Sequence, residues 1–134
     1  MTTSSCSPFI PAGSYQESAT DFSVTLTAAC LDINKIPVES TLSFNTSQLN
    51  GICDIANDNG SLQLVSGTTT PVNTSNPFIP AGSYQNSSSV QQIIISASCK
   101  TGTGSSKISQ LTYLGTQAAS LTDIMNNNGN LVAI

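Results

Sequence analysis

Apolar and polar residues alternate with a period of two along much of this chain, the pattern of strands with one buried face. Phe22, Val24, Leu26 and Ala28 alternate with Ser23, Thr25 and Thr27, and Ile93, Ile95 and Ala97 keep the same phase. Residues 41–45 (TLSFN) and 110–114 (QLTYL) predict a second matched pair of strands, with Leu42/Leu111 and Phe44/Tyr113 on one face. Residues 61–65 and 130–134 predict short closing strands. Each comes directly after an Asn-Gly step (Asn59-Gly60, Asn128-Gly129), which tolerates positive φ and predicts a tight turn. Residues 49–56 and 118–125 are too short and irregular for a long helix and predict one helical turn each. Tyr15, Tyr84, Phe44 and Tyr113 are expected in the core.

The matched strands belong to a tandem repeat. At an offset of 69 residues, Pro8 to Gln16 (PFIPAGSYQ) recurs letter for letter as Pro77 to Gln85, and Cys30 falls on Cys99. Asp54, Ile55, Asn57, Asn59 and Gly60 fall on Asp123, Ile124, Asn126, Asn128 and Gly129. Residues 6–65 and 75–134 share 21 identities in 60 positions without a gap. Residues 66–74 lack any apolar rhythm and read as the linker. A repeat of this length predicts one unit used twice, and two similar units predict two similar ligand sites.

Composition narrows the chemistry. The 134 residues suit one domain, and charged residues make up 7% of them. The cations are Lys35, Lys100 and Lys107, with no arginine, so a phosphate-binding stripe for nucleic acid is excluded. A net charge of −4 argues against an anionic membrane surface, and no apolar run approaches the ~18 residues of a spanning helix. The opening MTTSSCSPF has no basic cluster before an apolar run, so no signal peptide is expected in this chain, although its composition suits a secreted or extracellular protein. A neutral surface rich in Ser, Thr and Asn suits an uncharged, hydroxyl-bearing ligand, or reflects an extracellular Ser/Thr-biased composition.

Catalysis is not expected. Histidine is absent, and of seven acids only Asp54/Asp123 recurs, so neither a tunable base nor a paired carboxylate is in view. The Asp54–Gly60 stretch lacks the closing Glu of a calcium loop and reads as a turn. No histidine and no closely spaced cysteine pair leaves zinc without ligands. No metal or cofactor is therefore expected. Four cysteines allow three complete pairings, of which Cys6–Cys30 is favoured.

Residues 26–30 (LTAAC), 53–62 (CDIANDNGSL) and 123–131 (DIMNNNGNL), in this order and at matched spacing, resemble the cyanovirin-N homology family of mannose-binding lectins. The likeness covers both repeats. It implies an all-β fold of two pseudo-symmetric lobes, each of a triple-stranded sheet and a hairpin with short 3₁₀ turns. Exchange between the repeats would build lobe A from about 1–52 plus 121–134 and lobe B from about 53–120, as a monomer or a domain-swapped dimer.

The resemblance also implies a non-catalytic, metal-free lectin for terminal α1,2-linked mannose on high-mannose oligosaccharides or glycoproteins. Carried onto this chain, the lobe B site comprises Asn57, Asn59, Ser83, Asn86, Ser87, Lys100 and Thr101. The lobe A site comprises Ser14, Glu17, Ser18, Asn126 and Asn128, with the apolar Leu31 and Ile33 where the family has polar ligands. The same topology would bring Cys53 to Cys99. The alternative is a structural or adhesive β module whose sugar site has decayed and which binds protein. For the four turn asparagines, shaping the turn competes equally with sugar contact.

Overall fold

A computed structural model describes residues 9–49, 51–67 and 76–134. It is all-β: β1 (Ala19–Leu31), β2 (Pro37–Asn45), β3 (Ile52–Asp58), β4 (Ser61–Ser66), β5 (Ser88–Lys100), β6 (Ser106–Leu114), β7 (Ile124–Asn127) and β8 (Asn130–Ala133). Every pairing is antiparallel. Where triple-stranded sheets are expected, the strands form one four-stranded sheet, in the order β2-β1-β5-β6, and two two-stranded ribbons, β3-β4 and β7-β8.

The cause is the pairing of β1 with β5, one strand from each repeat. Thr25 lies opposite Ile94, its own counterpart in the other repeat, so the pairing turns about that point. Val24, Leu26, Ala28 and Cys30 from β1 and Ile93, Ile95, Ala97 and Cys99 from β5 are all buried on one face. The opposite face carries hydroxyls: Thr25 Oγ1 lies 3.0 Å from Ser43 Oγ and Thr27 Oγ1 lies 3.2 Å from Thr41 Oγ1. Burying one face and wetting the other is what the period of two demands.

The alternation fails at one place. Between the pairs Thr20/Ser98 and Ser23/Ser96, Asp21 and Phe22 oppose the single Ala97, which is a β-bulge. The bulge leaves Phe22 only half-buried, its ring edge-on to Tyr15 at 5.5 Å. A second register shift, between Thr27 and Ala28, leaves Gln91 of β5 unmatched. Gln91 is the counterpart of Phe22.

The nine-residue identity forms a clamp. Tyr15 Oη and Gln16 Nε2 both donate to the Pro11 carbonyl, the latter at 2.8 Å. Tyr84 Oη and Gln85 Nε2 do the same to Pro80, at 2.5 and 2.9 Å. Gly82, at φ 148°, sits where a Cβ would come within 2.6 Å of the Ile55 carbonyl oxygen, so the tight approach requires glycine. The clamp then opens into a 3₁₀ turn, Ser14–Glu17 or Ser83–Asn86.

Two expectations shift. The helical turns fall at Thr46–Leu49 and Gly115–Ala118, ahead of the segments predicted, because Gln48 and Gln117 accept the N–H groups of Asn45 and Leu114 there. The segments themselves run into strands, with Cys53 and Ile55 buried at alternate positions of β3. The Asn-Gly turns form as expected: Asn59 and Gly60 have φ of 51° and 92°, the combination of a type I′ hairpin. Tyr15, Tyr84, Phe44 and Tyr113 are core residues.

Neither expected disulfide, Cys6–Cys30 or Cys53–Cys99, forms. Cys30 and Cys99 are free, fully buried thiols. Cys53 is disulfide-bonded, its sulfur 3.0 Å from the Gly67 carbonyl oxygen, while Cys6 lies outside the described residues. Cys99 lies near the end of β5 that pairs with the start of β1. The ribbon carrying Cys53 is tied through Asn57 to the other end of β5, beside Ser87. The linker at 66–74 is described only as far as Gly67.

The three tyrosines of the chain supply a test of this core. Each phenol donates to a buried-side carbonyl, of Pro11, Pro80 or Phe78. Burial pushes Tyr15 up to about 12 and raises Tyr84 and Tyr113 as well. A phenol whose folded value exceeds its unfolded ~10 stabilises fully below that pH, and the contribution is lost as pH rises through the folded value. Spectrophotometric titration is therefore expected to show no phenolate at about pH 10.5 in the native protein, and a steep rise coincident with unfolding nearer pH 12. Ordinary titration of even one tyrosine near ~10 in the folded state would contradict this packing.

Candidate functional site

The hairpin ribbons sit at the two ends of the central β1/β5 pair, and each is fixed by one asparagine amide. At the end where β1 finishes and β5 begins, Asn57 Nδ2 donates to the Leu31 carbonyl at 2.9 Å and to Ser87 Oγ at 2.9 Å. Asn57 Oδ1 accepts from the Gly60 N–H at 2.8 Å and closes the turn. Asn59 Oδ1 accepts from the Ile33 N–H at 2.7 Å. At the opposite end, Asn126 Nδ2 donates to the Lys100 carbonyl and to Ser18 Oγ, both at 2.9 Å, and its Oδ1 accepts from the Gly129 N–H at 2.8 Å. Asn128 Oδ1 accepts from the Gly102 N–H at 2.7 Å.

This division separates the residues carried over for lobe B. Asn57, Asn59, Asn86 and Ser87 share one end of the sheet, in the company of Leu31 and Ile33. Lys100 and Thr101 stand at the other end with Ser18, Asn126 and Asn128. Thirteen residues of β5 lie between Ser87 and Thr101, roughly 40 Å at ~3.3 Å per residue. Lys100 and Thr101 therefore cannot share a disaccharide with Asn57. Lys100 takes, by the repeat, the place of Leu31.

Ser14 and Ser83 each brace a carboxylate of the other repeat. Ser83 donates through N–H and Oγ to the two carboxylate oxygens of Asp54, at 2.7 and 2.5 Å. Ser14 does the same to Asp123, at 2.8 and 2.6 Å. Each pair joins the 3₁₀ turn of one repeat to the closing ribbon of the other. The hydrogen bonds from Ser14, side chain first and then backbone, hold the Asp123 carboxyl below its ordinary value. Glu17 is exposed at the end of its 3₁₀ turn.

One hollow gathers part of the expected set. A cleft of about 330 Å³ is lined by Asn86 and Ser87, by Ser88 and Ser89, and by the apolar Ala29, Leu31 and Pro37. The buried hydroxyl of Ser88, in its wall, has no hydrogen-bond partner among the described residues. Ser88, Ser89 and Pro37 are not among the expected site residues; the repeat pattern gives no hint of them, since their counterparts Ala19, Thr20 and Ser106 differ. Among the described residues no group of three or more His, Cys, Asp or Glu side chains could hold a metal ion. The chain matches no family model, no curated protein and no solved structure.

With both amide donors and the carbonyl committed, Asn57 and Asn126 act on stability. Asn57→Ala removes several bonds from partly buried groups and is expected to lower the unfolding free energy by about 2–3 kcal/mol, with Asn126→Ala similar. Denaturant unfolding checks this, and a change under about 0.5 kcal/mol at both positions would deny the amides that role. Asp123 adds a pH test. Its folded value is depressed, so its stabilisation is complete above about pH 4 and declines as pH falls through the lowered value. Asp123→Asn is expected to flatten the acid limb of stability against pH while leaving the neutral-to-alkaline limb unchanged in shape.

Proposed function

We propose that this chain is a non-catalytic carbohydrate-binding protein that takes neutral, hydroxyl-rich glycan ends in the cleft at Asn86–Ser89. The carrying observation is that cleft: one amide and three hydroxyls on one side, Leu31 and Pro37 on the other, and in its wall the Ser88 Oγ, which has no partner among the described residues. A pyranose presents the same division, hydroxyls around the rim and C–H groups on a face. Serine hydroxyls both donate and accept and rotate to suit, so they can follow a sugar's OH pattern. Each neutral bond contributes about 0.5–1.5 kcal/mol net, and a few of them amount to roughly millimolar binding of a single unit.

Mannose-rich glycans, with terminal α1,2-linked mannose, are the ligand class favoured by the sequence resemblance. The two Asp–Ser clamps, each tying a turn of one repeat to the ribbon of the other, support the reading of two pseudo-symmetric lobes formed by exchange. Asn57 and Asn59 then serve the site by holding Ser87 and the loop at Ile33 in place. Lys100 and Thr101 lie outside it.

A specific feature favours the adhesive alternative. Ile33 is 83% exposed and Ile36 58% exposed, in the loop that leads into Pro37 beside the same cleft. An apolar rim of that kind suits protein contact.

A glycan array, combined with amide-shift titration with an α1,2-linked mannose disaccharide, separates the two. Shifts are expected at Asn86–Ser89 and Leu31, and Asn86→Ala combined with Ser89→Ala is expected to reduce affinity at least tenfold with an unchanged fold. Silence toward every mannose-terminated glycan at millimolar concentration would remove the lectin reading and leave the adhesive one.

A further inference from the structure

We infer that the bulge in β1 builds a second binding site, for a single neutral pyranose, in the cleft between residues 20–23 and 45–47. This cleft, about 640 Å³, is the larger of the two hollows described and falls within the roughly 300–1,000 Å³ of small-ligand sites. Its lining is Thr20, Asp21, Phe22 and Ser23 from the bulge, with the Asn45–Ser47 corner beyond β2. The site is independent of the cleft at Asn86–Ser89. From Thr20–Ser23 to Ala29–Leu31 is about eight residues along β1, roughly 25 Å.

The bulge is what arms it. Asp21 adopts φ 57°, a left-handed conformation uncommon in non-glycine residues and several-fold enriched in Asp and Asn. Insertion of that residue breaks the in-out alternation, so an acid and an aromatic ring reach the same hollow instead of opposite faces of the sheet. Phe22, half-buried and edge-on to buried Tyr15, lines the cleft. Thr46 Oγ1 donates to the Phe22 carbonyl at 3.4 Å and ties the far wall to the bulge. Asn45 Oδ1 accepts from Ser47 Oγ at 2.7 Å and from the Gln48 N–H at 3.1 Å, which fixes the amide plane. Its Nδ2 donates to no described residue. The side chains of Thr20, Asp21 and Ser23 likewise make no hydrogen bond to any described residue.

The chemistry selects the ligand. The sole formal charge in the lining is the Asp21 carboxylate, so phosphates and organic acids are repelled. One carboxylate falls short of the six to eight oxygens of a calcium site. An acceptor-only carboxylate takes two donors at once, which vicinal sugar hydroxyls supply, and the hydroxyls of Thr20 and Ser23 both donate and accept. The exposed part of Phe22 meets the C–H face of the ring. The second repeat lacks the key groups: Val90, Gln91, Leu114 and Gly115 replace Asp21, Phe22, Asn45 and Thr46. There a Cβ on Gly115 would strike the Val90 backbone, so the corner is closed against the bulge. The site is single in an otherwise duplicated framework.

Amide-shift titration of the whole chain with methyl α-mannoside, methyl α-glucoside and methyl α-galactoside tests this, with methylammonium chloride as the competing probe. At least one pyranoside is expected to shift residues 20–23 and 45–47 saturably. Asp21→Asn, which keeps a residue tolerant of positive φ, is expected to weaken that binding at least tenfold, and Thr20→Ala severalfold, with all other amide positions retained. No saturable shift at these residues up to about 100 mM of any pyranoside would overturn the site. So would methylammonium binding as tightly, or undiminished pyranoside affinity in Asp21→Asn. Shifts at Asn86–Ser89 report the other cleft separately, so either site can fail while the other stands.

Discussion

Two asparagine side chains hold this molecule's parts in register. Asn57 and Asn126 each commit a whole amide to the junction between a ribbon, the end of one central strand and the start of the other. The sheet would exist without them, because β1 and β5 share a continuous apolar face. The ribbons would not be placed, since two-stranded hairpins are marginal alone and need a surface to pack on. Ile55 and Ile124 supply the apolar contact and the amides supply its position. The Asp54–Ser83 and Asp123–Ser14 pairs fix the same ribbons from the other side.

That arrangement reassigns much of the polar repertoire. Ser14, Ser83, Asn57 and Asn126 read from the sequence as sugar ligands, yet each is occupied inside the protein. Their recurrence in both repeats reflects a framework built twice. The chemistry that differs between repeats is where ligands are better sought. Asn86 stands opposite Glu17 in the alignment, Ser88 opposite Ala19, and Asp21 opposite Val90.

The all-β class, the strand phases, the Asn-Gly turns and the tyrosine core are legible in the chain because each rests on local rules: period two, positive φ, and burial of large alternating residues. The pairing of β1 with β5 is not legible, because any strand of matching phase can serve as a partner and no local feature selects among them. Three further readings depend on that pairing: the grouping of Lys100 with Asn57, the disulfides expected of Cys30 and Cys99, and two triple-stranded sheets where the protein has one four-stranded sheet and two ribbons. The bulge at Asp21 is hidden for a different reason. Phe22 continues the alternation of Val24 and Leu26 in the sequence, and only the register against Ser96 and Ser98 exposes the extra residue.

Thr25 facing its own counterpart Ile94 places the point of symmetry within the central strand pair. A substitution near that point falls on the contact between the two repeats, so both halves feel it. At the extremities the matched positions stand far apart, apolar Leu31 at one and cationic Lys100 at the other. A duplicated chain folded in this way has one shared middle and two separate tips, which lets one body carry two unlike ends.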